Sequence, residues 1–552
     1  MPELSQSTKK LIQHYQSWHQ SLQPKEGTVT IHVDEVAKAV AVFYEKIREV
    51  VDWKEEHLMR RAAIERILKR RLLLMKDSES IAEPLVSELI RGGHFPNDKI
   101  PESKIGEIQK TLEKYIYILE TAPHSPKEKM KTQLYDWLLS IAACEIEEIL
   151  SPPRRENALI EYMTELMIER VKMQEGVFII GGIVKEDKSS SPSFAAAGIT
   201  EEEKNTQIYI AIQRALFKLD SPIITYSLLK RMYLQWHDFS KDSAQFQEMV
   251  KNIYSIWNDF EKDLKHPLAD KFYNICEKYD TLFLIMGDVI SEDPLKIEEK
   301  IKTPEELENR INAAYQKRLK TLKTRIRRAA IYATLSILVT KMLLALTIEG
   351  AFDKYVTHQF SYFTMGLNIL IPSFLMFFLV LSIRSPKQEN LQRVKMEVIK
   401  ITYSTERKEI YALKIPRKRG WLMNTIVSIF YLLAFIITFG LIIYGLQKLN
   451  FGVLSIIIFL IFISLISFAG AKLRERSREL EIIEKKDSFM MIFIDFFSMP
   501  VIGLGKWLSG QWMRYNILVV FLNFLIDMPF QVFVEFLEQW RAFLKEKKEE
   551  IH

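Results

Sequence analysis

Three short segments hold acidic or histidine residues at spacings that metal sites use. "WHDF" places His237 beside Asp238, as in metal-dependent phosphohydrolases, and "CEIEEIL" (144–150) and "WKEEHLMRR" (53–61) carry carboxylates one helical turn apart. A phosphohydrolase would need further His and Asp residues around this pair, and a di-iron bundle would need Glu-x-x-His pairs. The sequence indicates neither. We therefore interpret His237 and Asp238 as an ordinary surface or capping pair. The carboxylates of the other two segments are interpreted as solvated helix faces.

Other catalytic patterns are also missing from the sequence. "FIIGGIV" has a strand-like run and two glycines, but no Gly-Lys-Ser/Thr follows, so it is interpreted as a strand end or turn. Cys144 and Cys276 are far apart and lack His or Cys partners at ligand spacing, which predicts inert buried thiols. There is no nucleophile elbow, HExxH or Cys/His constellation. We expect no catalytic residue, no cofactor and no metal.

Lys341 is the one clear charge within a long apolar segment, with Asn368, Asn424 and Pro372 as milder features in others. It lies about eight residues, roughly 12 Å, before Glu349 at the predicted outer end of its segment. We expect its side chain to snorkel outwards or to pair with a carbonyl. The functional alternative is a ring of Lys341 side chains in an oligomer, which would favour anions.

The composition divides the chain into a polar and an apolar half. Its 552 residues exceed what one core usually organises, and the formal net charge is only +6. Apolar residues concentrate after about residue 329, whereas the preceding residues are rich in charged helix formers. "MPELSQSTKKLIQHYQSW" has no apolar run of signal-peptide length. The sequence predicts an all-α protein with a cytoplasmic N-terminal region and a polytopic membrane domain.

Four apolar segments are long enough to cross a bilayer core of about 30 Å. The basic loop 384–420 and the Lys- and Arg-rich residues before 329 would be retained in the cytoplasm, whereas the other loops carry almost no basic residues. This asymmetry predicts a multi-pass protein of an inner or plasma membrane with both termini cytoplasmic. The membrane domain (329–471) is predicted to span at 329–349, 362–383, 421–446 and 451–471.

The N-terminal region is predicted to contain two helical parts, 1–184 and 200–328, joined by a flexible linker at 185–199. "TVTIHV" (28–33) and 177–184 could pair as a small β-ribbon. A helical stretch from Asp34 to about Met75 is basic at its end, and we expect neighbouring acidic helices to balance those charges. "TPEE", with Thr303 as cap and Glu306 as its partner, predicts the start of one helix that continues into the first span.

The C-terminal region, 472–552, contains two Met-Pro dipeptides, each after a residue that could cap a helix, Ser498 and Asp527. We expect interfacial amphipathic helices on the cytoplasmic side, with two further spans or packing on the soluble region as alternatives. The residues expected at the membrane surface are Arg325, Arg327, Arg328, Arg417, Lys418, Arg419, Trp507, Trp512 and Trp540.

The architecture is more informative about function than any motif. The leading hypothesis is a membrane-anchored, cytoplasm-facing helical protein that binds partners or organises an assembly. The expected partners are a bilayer with anionic headgroups and a protein partner or further copies of the chain, with no nucleic acid. An oligomeric channel or transporter with Lys341 on its pathway is the alternative, and a membrane enzyme is third.

Overall fold

The computed structural model describes most of the chain and is predominantly helical, which confirms the all-α prediction. Predictions for 177–199, for Asp527 and for Arg417, Lys418 and Arg419 lie outside the described residues. Apart from a few single residues, the described ranges are 3–21, 29–33, 56–74, 81–123, 128–151, 155–174, 200–239, 243–356, 361–381, 388–403, 411–414, 421–482 and 489–514.

Helices from the first 300 residues form one body around a shared apolar core, here called the N-terminal body. The central helix is α11, whose apolar run packs against α6 and α7. Gly287 of α11 permits this approach, because a Cβ there would lie 3.1 Å from both a Leu159 methyl group and the Tyr15 hydroxyl. The helices of the body are α1 (Gln6–Ser21), α2 (Glu56–Leu74), α3 (Ala82–Arg91), α4 (Ser103–Thr121), α5 (Glu128–Leu150), α6 (Arg155–Arg170), α7 (Glu201–Phe217), α8 (Ser221–Met232), α9 (Ala244–Lys251), α10 (Ile253–Leu264), α11 (Ala269–Glu292) and α12 (Ile297–Lys300).

The ribbon predicted between 28–33 and 177–184 stays a prediction, because 177–184 lies outside the described residues. Residues 29–33 pair antiparallel with the 98–102 segment, where the Ile31 amide donates to the Ile100 carbonyl at 2.9 Å. The described sheet instead joins β1 (Val171–Gln174) in parallel with β2 (Tyr411–Lys414), more than two hundred residues later. The sequence could not indicate this partner, because strand pairing depends on which elements the tertiary fold brings together.

Helix α13 (Pro304–Leu344) begins at the predicted Pro304 and continues through a π-helical turn, Ala345–Glu349, into α14 (Gly350–Tyr355). Thr303 precedes the first turn, but its side chain makes no capping hydrogen bond, so the predicted capping box is not formed. The continuous run of 52 residues contains the first apolar segment. The prediction of one helix from the body into that segment is confirmed.

Among the described residues, four helices are long and apolar enough to cross a membrane, in agreement with the four predicted segments. Met376, Ile466 and Leu473 form part of a small core where the first, second and fourth of them pack together. The helices are the α13–α14 run, α15 (Tyr362–Leu381), α17 (Trp421–Lys448) and α18 (Val453–Ser477).

Residues 388–403, between the second and third apolar helices, belong to the N-terminal body. They form α16 (Gln388–Tyr403), which packs against α11 and α13 and buries Val394 and Val398 in the shared core. Asn390 on α16 donates to the Leu480 carbonyl and accepts from the Ile482 amide, so residues after the fourth apolar helix also attach there. The part of the predicted basic loop that forms α16 is therefore a component of the N-terminal body.

A last described helix, α19 (Phe489–Arg514), runs without a break through the first Met-Pro pair. Ser498 is thus not an N-cap; its hydroxyl donates to the Asp495 carbonyl within the helix. Pro500 lies inside α19, which packs against α17 and α18. A Cβ at Gly505 would collide with the Ser464 carbonyl of α18, so the two helices approach at backbone distance.

Candidate functional site

The N-terminal body contains a polar group, here called the Glu145 cluster, in which Lys114, Tyr115, Glu145 and Trp236 are buried and His237 is partly exposed. Lys114 Nζ donates to Glu145 Oε1 at 2.7 Å, and the Tyr115 hydroxyl donates to Oε2 at 2.7 Å. Trp236 Nε1 also donates to Oε2, at 2.9 Å, and His237 Nδ1 lies 3.2 Å from Oε1. Glu145 is 1% exposed, so these partners replace the water that an ionised carboxylate requires.

A second carboxylate extends the cluster one turn along α5. Glu148 Oε2 accepts from the Tyr226 hydroxyl at 2.6 Å, and Oε1 accepts from Lys230 Nζ at 2.6 Å. His237 Nε2 lies 3.6 Å from Glu148, so the imidazole bridges both carboxylates. The cluster therefore ties α4 and α5 to the turn at Trp236–Asp238 and to α8.

The pKa values of His237 and Glu148 indicate a charged imidazole beside an ionised carboxylate at neutral pH. Hydrogen bonds to Glu145 and Glu148 raise the pKa of His237 to about 9. Burial would raise the pKa of Glu148, but the hydrogen bond with His237 and the charge of Lys230 outweigh it and lower that pKa to about 2. A general base or acid works best with a pKa near the operating pH, which neither group has. Positioning of the Trp236–Asp238 turn is what this arrangement can do.

The structure overturns the interpretation of "CEIEEIL" as a solvated face, because Glu145 and Glu147 are both 1% exposed. The helix α5 is covered on several sides by α2, α4 and α8, so its carboxylates meet protein rather than water. The signal available in the sequence was the run "LLSIAAC" just before them, which is too apolar for a helix with an open face. Among the described residues, no group of His, Cys, Asp and Glu could hold a metal ion.

A pocket of about 340 Å³ lies beside this cluster and is lined by acidic and basic side chains. Arg61 on its wall is buried and donates to Asp220 at 2.7 Å. Farther along α2, Lys69 pairs with Asp136 on α5. These ion pairs agree with the expectation that acidic neighbours balance the basic end of the 34–75 stretch.

Lys341 forms a second buried polar group, inside the apolar helices. Its Nζ lies 2.6 Å from Glu349 Oε1, and Asn368 of α15 donates to the other oxygen of the same carboxylate. Lys341 is 0% and Glu349 2% exposed, so the snorkelling interpretation is wrong. The π-helical turn places Glu349 near the start of α18, where Asn368 of α15 also reaches it. The ammonium group also lies 5.3 Å from the Phe462 ring centre.

The three predicted membrane-surface arginines that the structure describes lie on one helix. Arg325, Arg327 and Arg328 are exposed on α13 at the end of the N-terminal body. Arg325 lines a pocket with Arg155 and Asp288, whereas Arg327 lines a different groove between α13 and α15.

Two of the three tryptophans predicted for the membrane surface have described side chains. Trp507 is 59% exposed on α19, and Trp540 is 49% exposed with its ring stacked on Phe536. Trp512 lies in the last turn of α19.

The fold and these two clusters define the class of protein: a helical protein with four apolar helices of membrane-spanning length among its described residues. No protein family matches the chain, and neither the curated proteins nor the solved structures include a significant match.

Proposed function

We propose that this chain is a membrane-anchored, cytoplasm-facing helical protein that binds a protein partner through its N-terminal body. The proposal rests on three connections between the N-terminal body and the apolar helices. Helix α13 belongs to both, α16 returns into the body core, and residues 479–482 attach to α11 and α16. A body held at three places is suited to presenting one surface at a fixed height above a bilayer.

The surface proposed for the partner is the segment 232–235 beside the Glu145 cluster. Met232 is 65% and Leu234 90% exposed, whereas the following Trp236 is 1% exposed. The indole is held by Glu145 and by the Lys114 ammonium 4.7 Å above its ring. Because the buried Trp236 holds the backbone beside Met232 and Leu234, binding would cost less backbone entropy there, which favours these two exposed apolar side chains as interface anchors.

The test is purification of the full chain in native-lipid particles and identification of proteins present in stoichiometric amounts. Met232→Ser with Leu234→Ser should remove the partner without lowering the melting temperature, because both side chains are already in water. Leu295→Ser is the matched control, since Leu295 is 51% exposed in another turn of the body. The proposal fails if no stoichiometric partner is found, or if the double variant retains it.

The channel alternative gains no support from the position of Lys341. A pathway-lining lysine would present a free charge to water, whereas this lysine is buried and neutralised by Glu349. Purified chain in liposomes is therefore expected to pass no anion current. An anion current carried by the purified unmodified chain would replace partner binding by transport as the leading function.

A further inference from the structure

A groove of about 590 Å³ lies between α13 and α15 where the apolar helices meet the N-terminal body. Its walls are mainly apolar, with Ile331 and Leu335 from α13 and Phe377 and Leu381 from α15. Pro386 and Ser477 line it as well, from the segments that follow α15 and end α18. Leu335 is 55% and Leu381 64% exposed, so the groove is open along its side.

Two basic residues of α13 line the same groove. Lys323 and Arg327 are one turn apart, and i, i+4 side chains of a helix are neighbours about 6 Å apart. Within the described part of the chain, neither side chain has an ion pair or hydrogen bond. This differs from Arg310 and Arg318 nearer the body, which pair with Glu292 and Asp288. Two adjacent free cations at the mouth of an apolar groove favour an anionic group there.

The apolar part of the groove has the length of one lipid chain. From Arg327 to Leu338, the last groove residue of α13, eleven residues rise about 16 Å, close to half of a bilayer core of about 30 Å. A free phosphate ion would use the two cations and leave this wall uncovered. A phospholipid would use both parts, because its phosphate and its acyl chain are separated in the same way.

We propose that this groove binds one anionic phospholipid of the cytoplasmic leaflet, with its phosphate between Lys323 and Arg327 and an acyl chain along α13 and α15. The lipid would fill the seam where the first two spans leave the body. This inference concerns a lipid site and does not depend on the protein partner, because the 232–235 segment and the groove have no residue in common.

The probe is a phosphatidylglycerol with a photoreactive acyl chain, added to the full chain in phosphatidylcholine nanodiscs and competed with unlabelled phosphatidylglycerol. Labelling should map to the groove residues of α13 and α15. Lys323→Gln with Arg327→Gln should weaken competition by about tenfold or more, since each replacement removes a charge-assisted hydrogen bond to the bound phosphate. Thr334→Phe, which narrows the groove without changing charge, should also reduce labelling.

The matched control is Lys320→Gln with Arg328→Gln, which removes the same charge from exposed positions of α13 outside the groove. It should retain the labelling pattern and nearly all of the affinity. Equal losses in both double variants would mean a diffuse attraction of anionic lipid and would overturn the site. Unchanged competition in the Lys323/Arg327 variant, or labelling spread evenly over all apolar helices, would overturn it too.

Discussion

Replacing Lys341 with methionine should destabilise the protein, although methionine is the residue that a hydrocarbon environment would favour. The ammonium group lies 2.6 Å from Glu349 and is fully buried. Its removal leaves the Glu349 carboxylate among apolar helices with only the Asn368 amide as a described hydrogen-bond partner. A snorkelling lysine would give the opposite result, because its replacement would remove a cost.

The magnitude follows from the burial of both partners. Removal of one member of a buried ion pair costs about 3–5 kcal/mol, because the other charge stays without compensation. Replacing both members of such a pair by uncharged residues of similar volume is often neutral or stabilising. Lys341→Met with Glu349→Gln should therefore recover most of the loss, since the glutamine can still accept from Asn368. The coupling free energy between the two sites should reach several kcal/mol.

The assay is thermal unfolding of the purified chain in nanodiscs for the two single variants and the double variant, analysed as a double-mutant cycle. Leu343→Met serves as control, because Leu343 is 54% exposed on the same helix and its replacement should change little. A Lys341→Met variant as stable as the unmodified protein would refute the reasoning. A double variant no better than the single one would refute it as well.

Three further outcomes test other parts of the structure. Burial raises the pKa of Asp280 from 3.8 to about 8, so the folded state holds a proton that the unfolded state releases; stability should fall from about pH 4 to pH 8. Asp280→Asn should remove this fall and stabilise the protein by roughly 2–5 kcal/mol at pH 9, measured by unfolding at pH 5 and 9; identical pH profiles would contradict it. Gly505→Ala should lower the melting temperature because it forces α18 and α19 apart, whereas Gly510→Ala, with open space around it, should not; equal effects would argue against the close contact. Cysteine at Leu449 should react with an impermeant thiol reagent from outside and cysteine at Glu475 only after permeabilisation, and the reverse pattern would invert the proposed orientation.

Hydropathy and helix-start signals predicted the elements that depend only on residues close together in the sequence. The four apolar helices were predicted from their lengths, and the start of α13 at Pro304 from "TPEE". The polar clusters could not be predicted in the same way. Glu145 and Trp236 are far apart in sequence, and Lys341 and Asn368 lie on different helices, so only the packing of whole elements brings them together. The sequence also does not show which side of each helix other elements cover, so Glu145 was predicted to be solvent-exposed.

The attachment of α16 and Leu480 to the core sets an order for synthesis. Val394, Val398 and Leu480 are buried among side chains from the first 320 residues, yet they follow the second and the fourth apolar helix. A ribosome adds residues in sequence, and domains usually fold as they emerge. Here the N-terminal body cannot complete its core until all four apolar helices have been made. Under the proposed membrane anchoring, the nascent body would keep part of its apolar surface uncovered while those helices insert, and insertion would become a step in the folding of the N-terminal body.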